Sequence, residues 1–271
     1  MSEFLKVVRL TADGGLDGVS DAVILAMVVV GVVLIIASVF ALFVSIYLAV
    51  RYARYNRKLN SCGKTGEQIA RTILDENGLQ QIKVSKSGSI LFGNSYSHYF
   101  KKVRLRRLTW KKKSVTSLAM AAQKSALAVL DKERDVDMQA RVRMTPIIYF
   151  GPLAYVPLVI IGAVLDLIVF RNDNGIFTIA MTAVGTVFYL LSFIMSVKVL
   201  KTEKKAQERA YRIMKESGMA TDEELEMCKK LFRLYNIEYI NDMVIALLEL
   251  VYRVLQIIAY VQNSSSSSNP S

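Results

Sequence analysis

AVILAMVVVGVVLIIASVFALFVSIYLAV, residues 22–50, runs for 29 residues without one charged side chain. A helix needs about 20 apolar residues to cross the hydrocarbon core of a bilayer, so this run is long enough. It is also too long for a cleaved signal, whose apolar core is roughly 7–15 residues behind a basic start; here the lead-in carries Asp13, Asp17 and Asp21. Outward along the chain, residues 144–165 form an uncharged run of 22 and residues 174–197 one of 24. A fourth stretch, 243–262, is apolar except for Glu249 and Arg253, which are four apart and face each other on a helix. Hydrophobic residues make up 53% of the 271 and the mean hydropathy is +0.33. A soluble enzyme, a secreted disulfide scaffold and a disordered chain are excluded. Cys62 and Cys228 are too few for a disulfide framework and read as free thiols.

Charge predicts the orientation. Residues 1–21 are net −2, residues 51–143 net +14, the link around Arg171 and Asp173 (with Asp166) net −1, and residues 198–239 net +2. Lys and Arg accumulate on the cytoplasmic side of spans. The expected order is an extracellular N-terminus (1–21), a first span (22–50), a cytoplasmic domain (51–143), a second span (144–170) and an extracellular turn (171–175). A third span (176–199), a cytoplasmic helical segment (200–239), a transmembrane or interfacial helix (240–262) and a disordered Ser-rich tail (263–271) follow. The fold class is mainly α, a multi-pass membrane protein of about four transmembrane helices, with a smaller α+β part. Glu249 and Arg253 are tolerable in a span as a mutually neutralised pair pointing into a bundle.

Between the spans, local signals are readable. Thr65 with Gln68 is a capping box and Gly78 a terminator, predicting a helix near 66–77 with Ile69, Ile73 and Leu74 on one face. Thr221 with Glu224 repeats the box after the turn at Gly218, predicting a helix near 222–236. Ile82 and Val84, Ile90 and Phe92, and Val103 and Leu105 alternate with polar residues and suggest two or three short strands. Helix returns from Val115 to about Met138, with a close-packing Ala-rich front and a solvated run at 131–135.

Asn60-Ser61-Cys62-Gly63-Lys64-Thr65-Gly66 continues through Ala70-Arg71, Ile73-Leu74-Asp75 and Asn77-Gly78-Leu79. This resembles the opening N-S-x-G-x-T-G-x-x-x-A-R-x-I-L-D-x-N-G-L of the YugP-type membrane zinc metallopeptidases, and the resemblance extends from about Tyr55 to Gln262. It implies a zincin-like cytoplasmic domain. It also implies a helix bearing H-E-x-G-H, in which two histidines four apart hold zinc and the glutamate serves as general base.

The corresponding helix here reads Ala121-Ala122-Gln123-Lys124-Ser125-Ala126-Leu127-Ala128. Gln123 and Leu127 stand at the histidine positions and Lys124 at the glutamate. Gln is a poor zinc ligand, Leu is none, and a cation at 124 repels a metal. The family's D-H-Y-D stretch appears as Asn94-Ser95-Tyr96-Ser97, and its downstream ligand glutamate corresponds to Glu203, a residual metal candidate. His98, the only histidine, has no partner at ligand-pair spacing and reads as a solvated loop or strand residue. Zinc, the family's cofactor, is therefore not expected here, nor is any other cofactor.

The second feature is basic. Lys101, Lys102, Arg104, Arg106, Arg107, Lys111, Lys112 and Lys113 crowd thirteen residues around Trp110. Such a run enforces topology, and beside anionic lipid each cation contributes about 1 kcal/mol, with Trp110 seated at the interface. Nucleic acid is the weaker partner, since no recognised binding fold accompanies the charge. The leading expectation is a catalytically inactive homologue that binds membrane-protein clients or a partner protease. An active peptidase with an atypical site and a lipid-docked scaffold working through 101–113 are the alternatives.

Overall fold

The computed structural model describes residues 5, 6, 8, 16, 18–88, 93–171 and 175–267. The strand expected at Ile90 and Phe92, most of the turn at 171–175, most of the N-terminal segment and the end of the tail lie outside them. The chain divides into two compact units, one of residues 1–40, 145–196 and 241–271, the other of residues 41–144 and 197–240.

The first unit holds most of the apolar runs. Helix α1 (Asp21–Tyr55) starts here, and its large side chains point outward, with Ile35 and Phe43 each 65% exposed. Apolar side chains directed away from the protein suit a hydrocarbon surround. Among the described residues three helices qualify by length and hydropathy to span a membrane: α1, α6 (Ile176–Glu216) and α7 (Asp222–Ser267, its candidate span ending at Asn263). The run expected as the second span contributes a shorter apolar helix, Leu153–Val169, at the end of α5 (Val136–Val164) and the π-helical turn Leu165–Val169. Asp166, counted among the link charges, is in fact 2% exposed. It accepts from the backbone N–H groups of Phe177 (3.1 Å) and Thr178 (2.7 Å) and from the Thr178 hydroxyl (2.7 Å). These donors open α6, so a carboxylate from the preceding helix caps the next one. Gly162 admits the close approach, since a Cβ there would stand 2.7 Å from Thr178 Cα.

The second unit is built on α2 (Gly66–Glu76). Its predicted capping box is formed, Thr65 Oγ1 accepting from Gln68 N–H and Gln68 Oε1 from Thr65 N–H. Ile69, Ile73 and Leu74 are fully buried, and Gly78 closes the helix at φ 65°. A three-stranded sheet follows in the order β1 (Lys83–Lys86), β3 (Lys102–Leu105), β2 (Ser95–Ser97), with β1 parallel and β2 antiparallel to β3. A short α3 (Arg107–Lys111) leads to α4 (Val115–Lys132), which is buried on almost every side from Val115 to Leu130.

Two boundaries depart from expectation. Helix α4 stops at Lys132 instead of continuing to Met138, because Arg134 takes a left-handed φ of 54° and Asp135 Oδ1 accepts from the N–H groups of Asp137 and Met138, starting α5. The charged run read as a solvated face is thus a helix break. The helix expected at 222–236 and the one at 240–262 are a single continuous α7.

The opening motif turns out to be architectural. Asn60 Nδ2 donates to the carbonyls of Lys64 and Ser114; Ser61 N–H and Oγ donate to buried Glu224 at 2.6 and 2.5 Å. Gly63 needs its φ of 62°, and a Cβ on Gly66 would stand 2.1 Å from Thr109 O. Arg71 binds Asp75 and donates to the carbonyls of Leu79 (3.0 Å) and Ile82 (2.7 Å), fastening the helix to the turn before β1. Glu224 also completes the Thr221 capping box of α7.

Candidate active site

Helix α4 places Gln123 and Lys124 on the side that faces α5 and α6. Gln123 is 4% exposed, and Leu127, one turn on, is fully buried in the apolar core. From α6 comes Glu203, and from α5 comes Arg141. Gln123 Nε2 and Lys124 Nζ both donate to Glu203 Oε2 at 2.9 Å, and Arg141 Nη1 pairs with Glu203 Oε1 at 2.8 Å. The structure therefore brings together three of the four residues singled out from sequence and adds Arg141, which sequence reasoning missed. Its available signal was weak: it is one helical turn from Met138 and next to Val142, both buried, so a cation falls beside the core face of α5.

This part of α6 lies beyond the uncharged run 174–197, outside the bilayer-length segment. Burial alone would push the Glu203 carboxyl up; the Lys124 and Arg141 charges overcome that and hold it down at about 2. Each carboxylate oxygen is occupied by a cation. A zinc ion at this glutamate would be met by an ammonium and a guanidinium in place of two imidazoles, so the donor set does not fit the metal. Among the described residues no group of three or more His, Cys, Asp or Glu is placed to hold one.

His98 and Asp131 are not merely solvated. His98 Nδ1 and Tyr96 Oη both lie 2.6 Å from Asp131 Oδ2, Gln139 Nε2 donates to Oδ1, and the Asp131 side chain is 8% exposed. Burial and the Asp131 carboxylate raise the Tyr96 phenol's pKa. Tyr96 thus anchors β2 to the end of α4. Close by, Lys205 of α6 pairs with Asp135 and Asp137, and Arg209 with Glu133, tying α6 to the break before α5.

The basic segment runs through several successive elements. Lys101 is in a turn, Lys102 and Arg104 are on β3, Arg106 precedes α3, Arg107 and Lys111 are in it, and Lys112 and Lys113 follow. Trp110, expected at a lipid interface, is half-buried against the hydrophobic core. In the other unit Glu249 and Arg253 meet through Tyr189: its hydroxyl donates to Glu249 at 3.0 Å, and the guanidinium lies over the rings of Tyr155 and Tyr189 at 4.1 and 5.5 Å. Cys62 and Cys228 are free thiols, and burial pushes Cys228 up to about 12, which keeps it unreactive.

Residues 30–258 match the protein family described as "Putative neutral zinc metallopeptidase". The chain is similar to the "Putative membrane protease YugP" of Bacillus subtilis (strain 168), 22% identical over 204 residues that cover 75% of this chain and 85% of that protein. No solved structure matches.

Proposed function

The chain belongs to the neutral zinc metallopeptidase family, and from that membership we propose that it is a membrane-embedded, catalytically inactive member that binds membrane-protein clients or a partner protease. The observation that carries this reading is Lys124 Nζ on Glu203 Oε2. In a hydrolytic site that carboxylate ligates a metal and position 124 supplies the base. Here the two side chains neutralise each other, and neither is free to ligate or to take a proton from water. The architectural half of the family's sequence is kept, from Asn60 to Leu79, while the positions that would hold and use zinc are replaced.

The membrane placement extends the same reading. The unit of residues 41–144 and 197–240 is cytoplasmic, because the +14 of segment 51–143 belongs on the positive side. The Leu153–Val169 helix, lengthened by the residues before it in α5, is the second of four spans.

The test is a casein-degradation assay with purified full-length protein, with and without added zinc. The expected result is no cleavage above that of the Glu203→Gln variant. Zinc-dependent cleavage that a chelator and Glu203→Gln both abolish would show an active peptidase with an atypical site.

A further inference from the structure

A cleft lies where helix α2 meets the sheet. Strand register places Lys83 of β1 directly beside Lys102 of β3, and Ser97 of β2 beside Lys102 on the other side. The next row on the same face is Ser85, Arg104 and Ser95. The alternating positions Val103 and Leu105 are fully buried, so this face is the one directed away from the core. It carries three cations and three hydroxyls and no carboxylate. Like charges directly opposite one another destabilise a sheet. Among the described residues neither lysine forms an ion pair with a carboxylate.

The face opens at its β1 edge into a cleft of 820 Å³ whose far wall is α2. That wall supplies Lys64, Arg71, Gln68 and Thr72. Arg71 is immobilised by the Leu79 and Ile82 carbonyls and by Asp75, and Lys64 Nζ donates to Thr72 Oγ1 at 3.2 Å. One carboxylate, exposed Glu67, stands at the rim. Four cations from a helix, its approach and two strands therefore line one cleft, with Arg71 already paired to Asp75 and Glu67 the one carboxylate among the lining residues. Hydroxyl and amide donors are interleaved among them. This is the chemistry that binds phosphoryl oxygens: several cations neutralise the charge while neutral donors fix the orientation.

We propose that the cleft between α2 and the Lys83–Lys102 pair is a binding site for a phosphomonoester or diphosphate group. The site is separate from the Glu203 cluster and does not depend on whether that cluster is catalytic. The phosphoryl group is carried either by a lipid headgroup or by a soluble phosphate compound, and the same residues serve both.

The experiment uses the full chain in nanodiscs, with inorganic pyrophosphate as the probe and isothermal titration calorimetry as the readout. In phosphatidylcholine discs pyrophosphate is expected to saturate one site per chain, and to bind more weakly as salt rises. Lys83→Gln with Lys102→Gln should weaken it at least tenfold, and Lys83→Glu alone, at an exposed position, should do the same. The control Lys111→Gln, Lys112→Gln, Lys113→Gln should stay within twofold. Because the lysines repel, the double Gln variant should melt no lower than the native chain, so loss of binding reports the site and not the fold. Adding phosphatidate to the discs distinguishes the sources: competition at the Lys83–Lys102 site assigns the headgroup, and unchanged pyrophosphate affinity assigns a soluble ligand. Absence of saturable binding, equal loss in the control, or binding only by long RNA would each overturn the proposal.

Discussion

Replacing Glu203 by Gln removes the negative charge with which both Lys124 and Arg141 pair. The carboxyl is held at about 2 against an ordinary value of 4.5, and about 1.4 kcal/mol accompanies each pKa unit, so the cluster favours the charged carboxylate by about 3 kcal/mol. Truncating one partner of a buried pair costs about 3–5 kcal/mol, because the remaining charge is left uncompensated. The lower end applies here, since the side chains of Lys124 and Arg141 retain 13% and 20% of their exposure and water screens them in part. At roughly 2–4 °C per kcal/mol for a chain of this size, Glu203→Gln should melt about 6–12 °C below the native protein. Thermal denaturation in detergent, followed by circular dichroism, measures this. The pH dependence has a definite sign. A depressed carboxyl contributes stability that is fully present above its unfolded pKa near 4.5 and is lost as pH falls toward about 2. The gap between native and variant melting temperatures should therefore close across that acid window and stay constant from pH 5 to 8. A gap under about 1 °C, or one indifferent to acid, would refute the view that the Glu203 cluster is a closed ionic network.

Three other outcomes are expected. Gly66→Ala should destabilise by at least about 1–3 kcal/mol, since its Cβ would stand 2.1 Å from the Thr109 carbonyl; unchanged melting would mean that α3 yields freely. Gln123→His, Lys124→Glu and Leu127→His made together should bind zinc, read by elemental analysis, if Glu203 is a competent third ligand; a triple variant that folds without metal would mean that Glu203 is misassigned or that the pocket has collapsed. Tags after Ser2 and Ser268 should be reached from outside intact cells and a tag between residues 84 and 89 should not; a protected C-terminus would place 243–262 on the cytoplasmic surface.

Local signals carried much of the fold. The Thr65–Gln68 and Thr221–Glu224 boxes, the turns at Gly78 and Gly218, and the strands holding Val84 and Val103 are set by neighbours in sequence, and each forms where expected. What was not legible depends on distant partners. β2 is only Ser95-Tyr96-Ser97, without an alternating apolar pattern, and is held by its pairing with β3 and by Tyr96 on Asp131. The 131–135 run looks like a solvated face in one dimension, yet Asp131 is nearly buried and Asp135 caps α5. The candidate site was half legible. Gln123, Lys124 and Glu203 were found by position against the family pattern, but their contact depends on two packed helices, and Arg141 arrives from a third.

On the proposed reading, Lys124 and Arg141 stand at Glu203 where a metal would. The most direct test of that reading is the zinc content of the purified full-length protein, measured by elemental analysis after equilibration with micromolar zinc and removal of the excess. Far less than one zinc per chain is predicted, with no change in the Glu203→Gln variant. One zinc per chain, lost in that variant, would contradict the account.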